Sequence, residues 1–101
     1  ALSLQTQIAR TFSLRRRFDE AHAVLDAIAP QLEGAGAEPR VRALLERGRT
    51  FRSAGQPERA RPLFEQAAAL AQPAGLEDLA IDALHMVALV QDDPQEQLRW
   101  N

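Results

Sequence analysis

The chain has no cysteine, no lysine and no tyrosine. Without cysteine there are no disulfides, no thiolate metal sites and no cysteine nucleophile, which fits a reducing, cytoplasmic setting. No apolar run approaches the roughly 18 residues of a membrane span, and no secretory signal pattern opens the chain. Val and Ile are sparse and Thr scarcer still. Nothing alternates with period two between turn signals, so no strand is expected. The glycine-bearing stretch EGAGAEP at 33–39 lacks the lysine and the preceding strand of a phosphate loop. Neither His22 nor His85 lies near a serine–acid set. These absences leave no candidate catalytic residue, no cofactor and no metal site, and the sequence reads as that of a non-enzymatic protein.

What is present points to helix. The 101 residues are enough for one small domain, with 46% apolar and 26% charged residues. All twelve basic residues are arginine, and alanine occurs nineteen times; both residues favour helix. Charge is unevenly spread. Residues 1–61 carry eleven arginines against seven acids, net +4, whereas residues 62–101 carry one against seven, net −6. Such asymmetry steers partners or favours head-to-tail contact.

Apolar residues recur at three- and four-residue steps over 2–15, 19–33, 40–53, 58–72 and 76–91. EGAGAEP, AGQPE at 54–58, QPAG at 72–75 and QDDP at 91–94 interrupt the pattern. Gly55 suits the left-handed position after a helix, and Pro57 the first turn of the next. Pro30 is expected to bend or end its helix and Pro62 to kink one. The expected fold class is all-α: about five helices plus a truncated sixth, in which the 76–91 helix is apolar almost all round.

The stretch ARTF at 9–12 returns as GRTF at 48–51, thirty-nine residues later. In that register Arg10 meets Arg49, Thr11 meets Thr50 and Phe12 meets Phe51. Farther on, Ala21 meets Ala60, Leu25 meets Phe64 and Ile28 meets Ala67. The matches fall where one helix would pack on another, the mark of an internal repeat. The spacing resembles the tetratricopeptide repeat (TPR). The second unit carries Leu44, Gly48, Phe51, Ala60, Phe64, Ala67 and then Pro73. The first carries Ala9, Phe12, Ala21, Leu25 and Ile28. Gly48 and Ala9 would admit a neighbouring helix, Phe51 and Phe12 would fill a hairpin, and Ala60 and Ala21 would sit where its helices touch.

The resemblance implies helical hairpins stacked as an α-solenoid, with repeat one at about 2–33, repeat two at 40–72 and a partial repeat three at 76–101. It departs from the family in its period of 39 rather than 34, in Arg47 at a position usually Leu, and in a poorly matched third unit. The longer period implies longer second helices or looser turns between repeats. Two and a half hairpins leave apolar surface uncovered, so the chain is expected to be a piece of a longer array or to self-associate through the 76–91 helix.

The resemblance also implies a concave groove lined by the first helix of each hairpin, reached by Thr6, Arg10 and Ser13 and by Arg42, Leu45, Arg49 and Arg52. Arg10, Ser13, Arg42, Arg49 and Arg52 are the candidate partner-binding residues. Guanidinium forks suit carboxylates, which implies an acidic peptide or a terminal carboxylate held extended. The bland alternative is that these arginines pair with Glu46 and its neighbours. Asp78, Asp82 and His85 share one face of the last full helix, and a polar stripe accounts for them better than a metal site. The RRR run at 15–17 fits a helix C-terminus, and the acidic balance argues against nucleic acid. The expected function is a protein-interaction scaffold. The alternatives are a self-assembly or dimerisation segment, acting through Leu79 and Val87, and the effector-sensing arm of a larger bacterial regulatory protein.

Overall fold

Alanine-rich periodicity becomes five helices in a computed structural model that describes residues 2–14 and 17–91, the side chains of 2–4 and 12–14 excepted. They are α1 (Leu2–Leu14), α2 (Phe18–Glu33), α3 (Ala37–Ser53), α4 (Pro57–Ala71) and α5 (Glu77–Gln91). No strand occurs among the described residues. The expected sixth helix lies in 92–101, outside them.

Turn chemistry sets the boundaries. Gly55 has φ 78° and Gly75 φ 73°, the left-handed region that favours glycine. Each closes a helix with paired reversed hydrogen bonds: Gln56 N–H to Phe51 C=O and Gly55 N–H to Arg52 C=O, then Leu76 N–H to Ala71 C=O and Gly75 N–H to Gln72 C=O. This arrangement satisfies carbonyls that a helix end would leave open. Pro57 opens α4 at a position whose N–H would have no helical partner.

Two expectations are corrected. α3 starts at Ala37 rather than 40, because Pro39 falls in the first turn, where a missing N–H costs nothing. Of the two outcomes expected of Pro30, a bend or a stop, the stop does not occur, because α2 runs on through Glu33. The long period is therefore taken up by helices of 16 and 17 residues, with a turn of only 34–36 between α2 and α3.

Each helix packs on the next, and α3 also packs on α1 and α5. α2 and α4 do not touch each other. The helices thus form two layers, with α1, α3 and α5 in one and α2 and α4 in the other. The main core joins α3, α4 and α5 through Val41, Leu45, Phe64, Ala67, Ala83 and Val90. A smaller cluster of Ala9, Leu25, Ile28 and Ala43 joins α1, α2 and α3.

Some positions thirty-nine residues apart share their burial, but Thr11 is exposed where Thr50 is buried, and Ala29 is exposed where Ala68 is buried. Ala21 and Ala60 are both fully buried, as are Leu25 and Phe64 to within 2%. Gly48 is where α3 meets α4: a Cβ there would lie 2.5 Å from Phe64 Cε1, inside any tolerable contact. α5 departs from expectation. It buries Ala80, Ala83, Met86 and Val90 but leaves Ile81 66% and Leu84 48% exposed. It does face water on one side. Leu79 and Val87 pack against the main core instead.

Candidate functional site

The row of α1, α3 and α5 encloses a groove of about 330 Å³. It is lined by Thr6, Gln7 and Arg10 from α1, by Glu38, Arg42, Leu45, Glu46 and Arg49 from α3, and by Leu79 and Asp82 from α5. Three of the five arginine and serine candidates, Arg10, Arg42 and Arg49, therefore meet in one place. Arg52 does not belong with them. It is exposed on the last turn of α3 and outside the groove lining. Ser13 belongs to α1, but its side chain lies outside the described residues.

The three groove arginines differ in how they are held. Arg49 is spent: Nη1 donates to Glu46 Oε1 at 2.8 Å, and Nη2 donates to Asp82 Oδ2 of α5. It ties α3 to α5 across the groove floor. Arg42 pairs with Glu38 one turn back at 3.1 Å, with both side chains about half exposed. A solvated i,i+4 pair of this kind contributes only about 0.3–0.5 kcal/mol and yields readily to a competitor. Arg10 is exposed and forms no hydrogen bond or ion pair among the described residues.

The repeat explains the contrast between the two equivalent arginines. Arg49 has Glu46 three residues before it and Asp82 thirty-three after. At the same offsets from Arg10 stand Gln7 and Ala43. Neither carries a charge, so Arg10 lacks the two ion pairs that hold Arg49, although its charge acts on the buried Glu46 carboxylate. The equivalent threonines behave alike, since Thr11 Oγ1 donates to Gln7 C=O and Thr50 Oγ1 to Glu46 C=O.

Glu46 forms the floor at 7% exposure. Its Oε1 accepts from Arg49, and its Oε2 is buried without a hydrogen-bond partner. Burial raises its pKa above the ordinary carboxylate value; Arg49 and Arg10 oppose the shift, and Asp82 adds to it. Sequence reasoning named Glu46 only as a possible ion-pair partner, although its steps of four from Arg42 and three from Arg49 place it on their face. It assigned Asp82 to a stripe with Asp78 and His85. In the structure Asp82 turns to Arg49, and no three carboxylate or imidazole groups gather as metal ligands among the described residues.

On the opposite layer, Arg47 accounts for its unusual position. It reaches from α3 to α2, donating from Nη2 to Asp26 Oδ1 at 2.6 Å and from Nη1 to His22 Nδ1 at 3.2 Å. Because arginine only donates, Nδ1 must be the unprotonated nitrogen. Burial lowers the His22 pKa, and the neighbouring Arg47 charge lowers it further. His22 also lies 4.5 Å, centroid to centroid, from Phe51, which packs against the main core and has the Arg59 guanidinium 5.8 Å from its centroid. Phe51 thus fills the space where α2, α3 and α4 approach, rather than that of one hairpin alone. Of the RRR run, Arg17 forks the carboxylate of Glu20 at the start of α2; Arg15 and Arg16 lie outside the described residues. No helix among the described residues is long and apolar enough to cross a membrane. No protein-family model, no curated protein and no solved structure matches the chain.

Proposed function

We propose that the chain is a protein-interaction module of the tetratricopeptide type, and that its groove takes an extended acidic peptide. One observation carries the reading: Arg10 of α1 and the loosely paired Arg42 of α3 line the same groove, and Arg10 forms no hydrogen bond or ion pair among the described residues. A peptide carboxylate satisfies the fork of Arg10, and a second displaces Glu38 from Arg42. Arg49 is the structural member of the set. It sets the spacing of α3 and α5 and does not itself recognise the peptide.

The groove holds three arginines and three acids, Glu38, Glu46 and Asp82. Its selectivity therefore comes from where the available cations stand, not from net charge. The test is fluorescence anisotropy with labelled extended peptides that alternate Glu or Asp with small residues, set against their Gln and Asn isosteres. Acidic peptides should bind at least tenfold more tightly than the isosteres. Arg10→Ala/Arg42→Ala should remove that preference while leaving the helical circular dichroism unchanged. Equal binding of acid and amide peptides, or an unaffected double variant, sinks the reading.

A further inference from the structure

The layer opposite the groove carries a second concavity. Because α2 and α4 run beside each other without touching, a cleft of about 280 Å³ opens between them over α3. Its floor is aliphatic, formed by Ala29, Leu32, Leu44 and Leu63 among others, and Glu33, Arg40, Arg47 and Gln66 also line it. Arg40 is exposed and has no ion pair among the described residues, whereas Arg47 in the same lining is taken by Asp26. An aliphatic slot whose lining has two cations, one of them already paired, against the single acid Glu33 suits an aliphatic knob followed by an acid on the Arg40 side.

The same chain carries that shape at its other end. On α5, Glu77, Ile81, Leu84 and Ala88 follow one another at steps of four, three and four, which lines them along one face of the helix. All four are exposed. Ile81 and Leu84 are two of the three large apolar side chains that the described residues leave most open to water. Asp78 flanks Glu77 in the first turn. The stripe is therefore two branched aliphatic side chains with acids at one end, and the cleft is an aliphatic slot with a cation at its edge. The charges of the two halves, +4 over residues 1–61 and −6 over 62–101, favour the same pairing over a contact of like ends.

The geometry points to a second copy of this chain as the occupant of the cleft, with the Ile81/Leu84 stripe of one molecule seated between α2 and α4 of the next and Glu77 paired with Arg40. The two surfaces differ, so the contact is head to tail. It does not close on itself in a pair, and each added molecule presents a fresh stripe or cleft. The cleft lies on the layer away from the arginine groove, whereas the stripe belongs to α5, whose Leu79 and Asp82 line that groove.

The experiment is sedimentation equilibrium on the full chain and on two variants at exposed helical positions, Ala29→Glu to block the cleft and Ile81→Glu to spoil the stripe. The wild type is loaded up to about 1 mM, since a contact carried by two aliphatic side chains and one ion pair is small. Its mean mass should climb with concentration past that of a dimer. Each variant alone should remain a monomer. Mixed in equal amounts they should form a dimer and stop there, because the intact stripe of Ala29→Glu meets the intact cleft of Ile81→Glu. Arg40→Glu should weaken the wild-type association at least tenfold, and adding Glu77→Arg to the same chain should restore it. A wild type that stays monomeric gives both surfaces to other proteins and overturns the proposal. So does a wild type that halts at a dimer, or a variant mixture that stays monomeric while both proteins keep their helical signal.

Discussion

A buried carboxylate with one oxygen bonded and the other without a partner is held in its charged form only at a cost. Glu46 is in that position, because the Arg49 fork reaches Oε1 and then turns to Asp82. The sign of the consequence follows from linkage. A folded-state pKa above the ordinary 4.5 means that the native protein binds this proton more tightly than the unfolded chain does. Glu46 therefore contributes stability that is fully present below about 4.5 and is lost as pH rises through its raised folded value. His22 acts the other way. Its pKa lies below the ordinary 6.5, so its contribution is full above 6.5 and is lost as pH falls through the lowered folded value.

The two slopes oppose each other in the wild type, and Glu46→Gln separates them by leaving His22 in place. The urea midpoint of the variant, relative to wild type, should rise as pH goes from 4.5 to 7.5. A difference that stays constant over that range would refute the assignment. Little of this was legible in the sequence. The helical spacing put Glu46 on the arginine face and the repeat paired Arg10 with Arg49. Burial of Glu46 depends on α5 crossing α3, which no local pattern records. For the same reason the sequence treated Arg10 and Arg49 as equals, although Asp82 makes one of them structural.

Helix boundaries were read more securely than helix interiors. The stops at Gly55 and Gly75 follow from a backbone conformation that side chains resist, and they were visible as AGQPE and QPAG. The prolines were less readable, because a proline's effect depends on where in the helix it falls. Pro39, read as part of a break, lies in the first turn of α3. Pro30, read as a stop or a bend, is followed by another turn that carries Leu32 onto the smaller cluster. Pro62 is the more costly case. It is exposed at the sixth position of α4, inside the helix, where it removes the N–H that would meet the carbonyl four residues back. The packing of Phe64, Ala67 and Ala71 holds the helix together through that gap. Pro62→Ala should restore the bond without disturbing the core. Its gain is about 2 kcal/mol, the interior penalty less the flexibility returned to the unfolded chain. In a domain of this length each kcal/mol shifts the melting temperature by about 4–8 °C. A melting temperature equal to wild type or lower would show that the proline is accommodated at no cost.

At the scale of the whole molecule, the described residues of each helix contact only helices one or two places away in the chain, so stability is a sum of neighbour contacts more than a single shared core. The terms of that sum are unequal. Among the described residues, the main cluster runs from Val41 to Val90 and contains Phe64, Leu45 and Met86. The cluster under α1 and α2 holds, among the described residues, Ala9, Leu25, Ile28 and Ala43, with Val24 and Leu32 packed against it. The charged ties between α2 and the rest are also slight: Arg47 holds Asp26, whose side chain is 71% exposed, and such a pair contributes about 0–1 kcal/mol. The amino-terminal hairpin should therefore open before the rest. Native-state hydrogen exchange is expected to find amides of α1 and α2 exchanging through openings about 1–3 kcal/mol less costly than those of α3 and α4, within the range that separates local from global unfolding. Leu25→Ala sharpens the test. Its loss of about 2–5 kcal/mol should fall on α1 and α2, while the slowest amides of α4 and α5 change far less. If instead every protected amide lost the same amount, the five helices would form one cooperative unit, and the neighbour-by-neighbour account of this fold would fail.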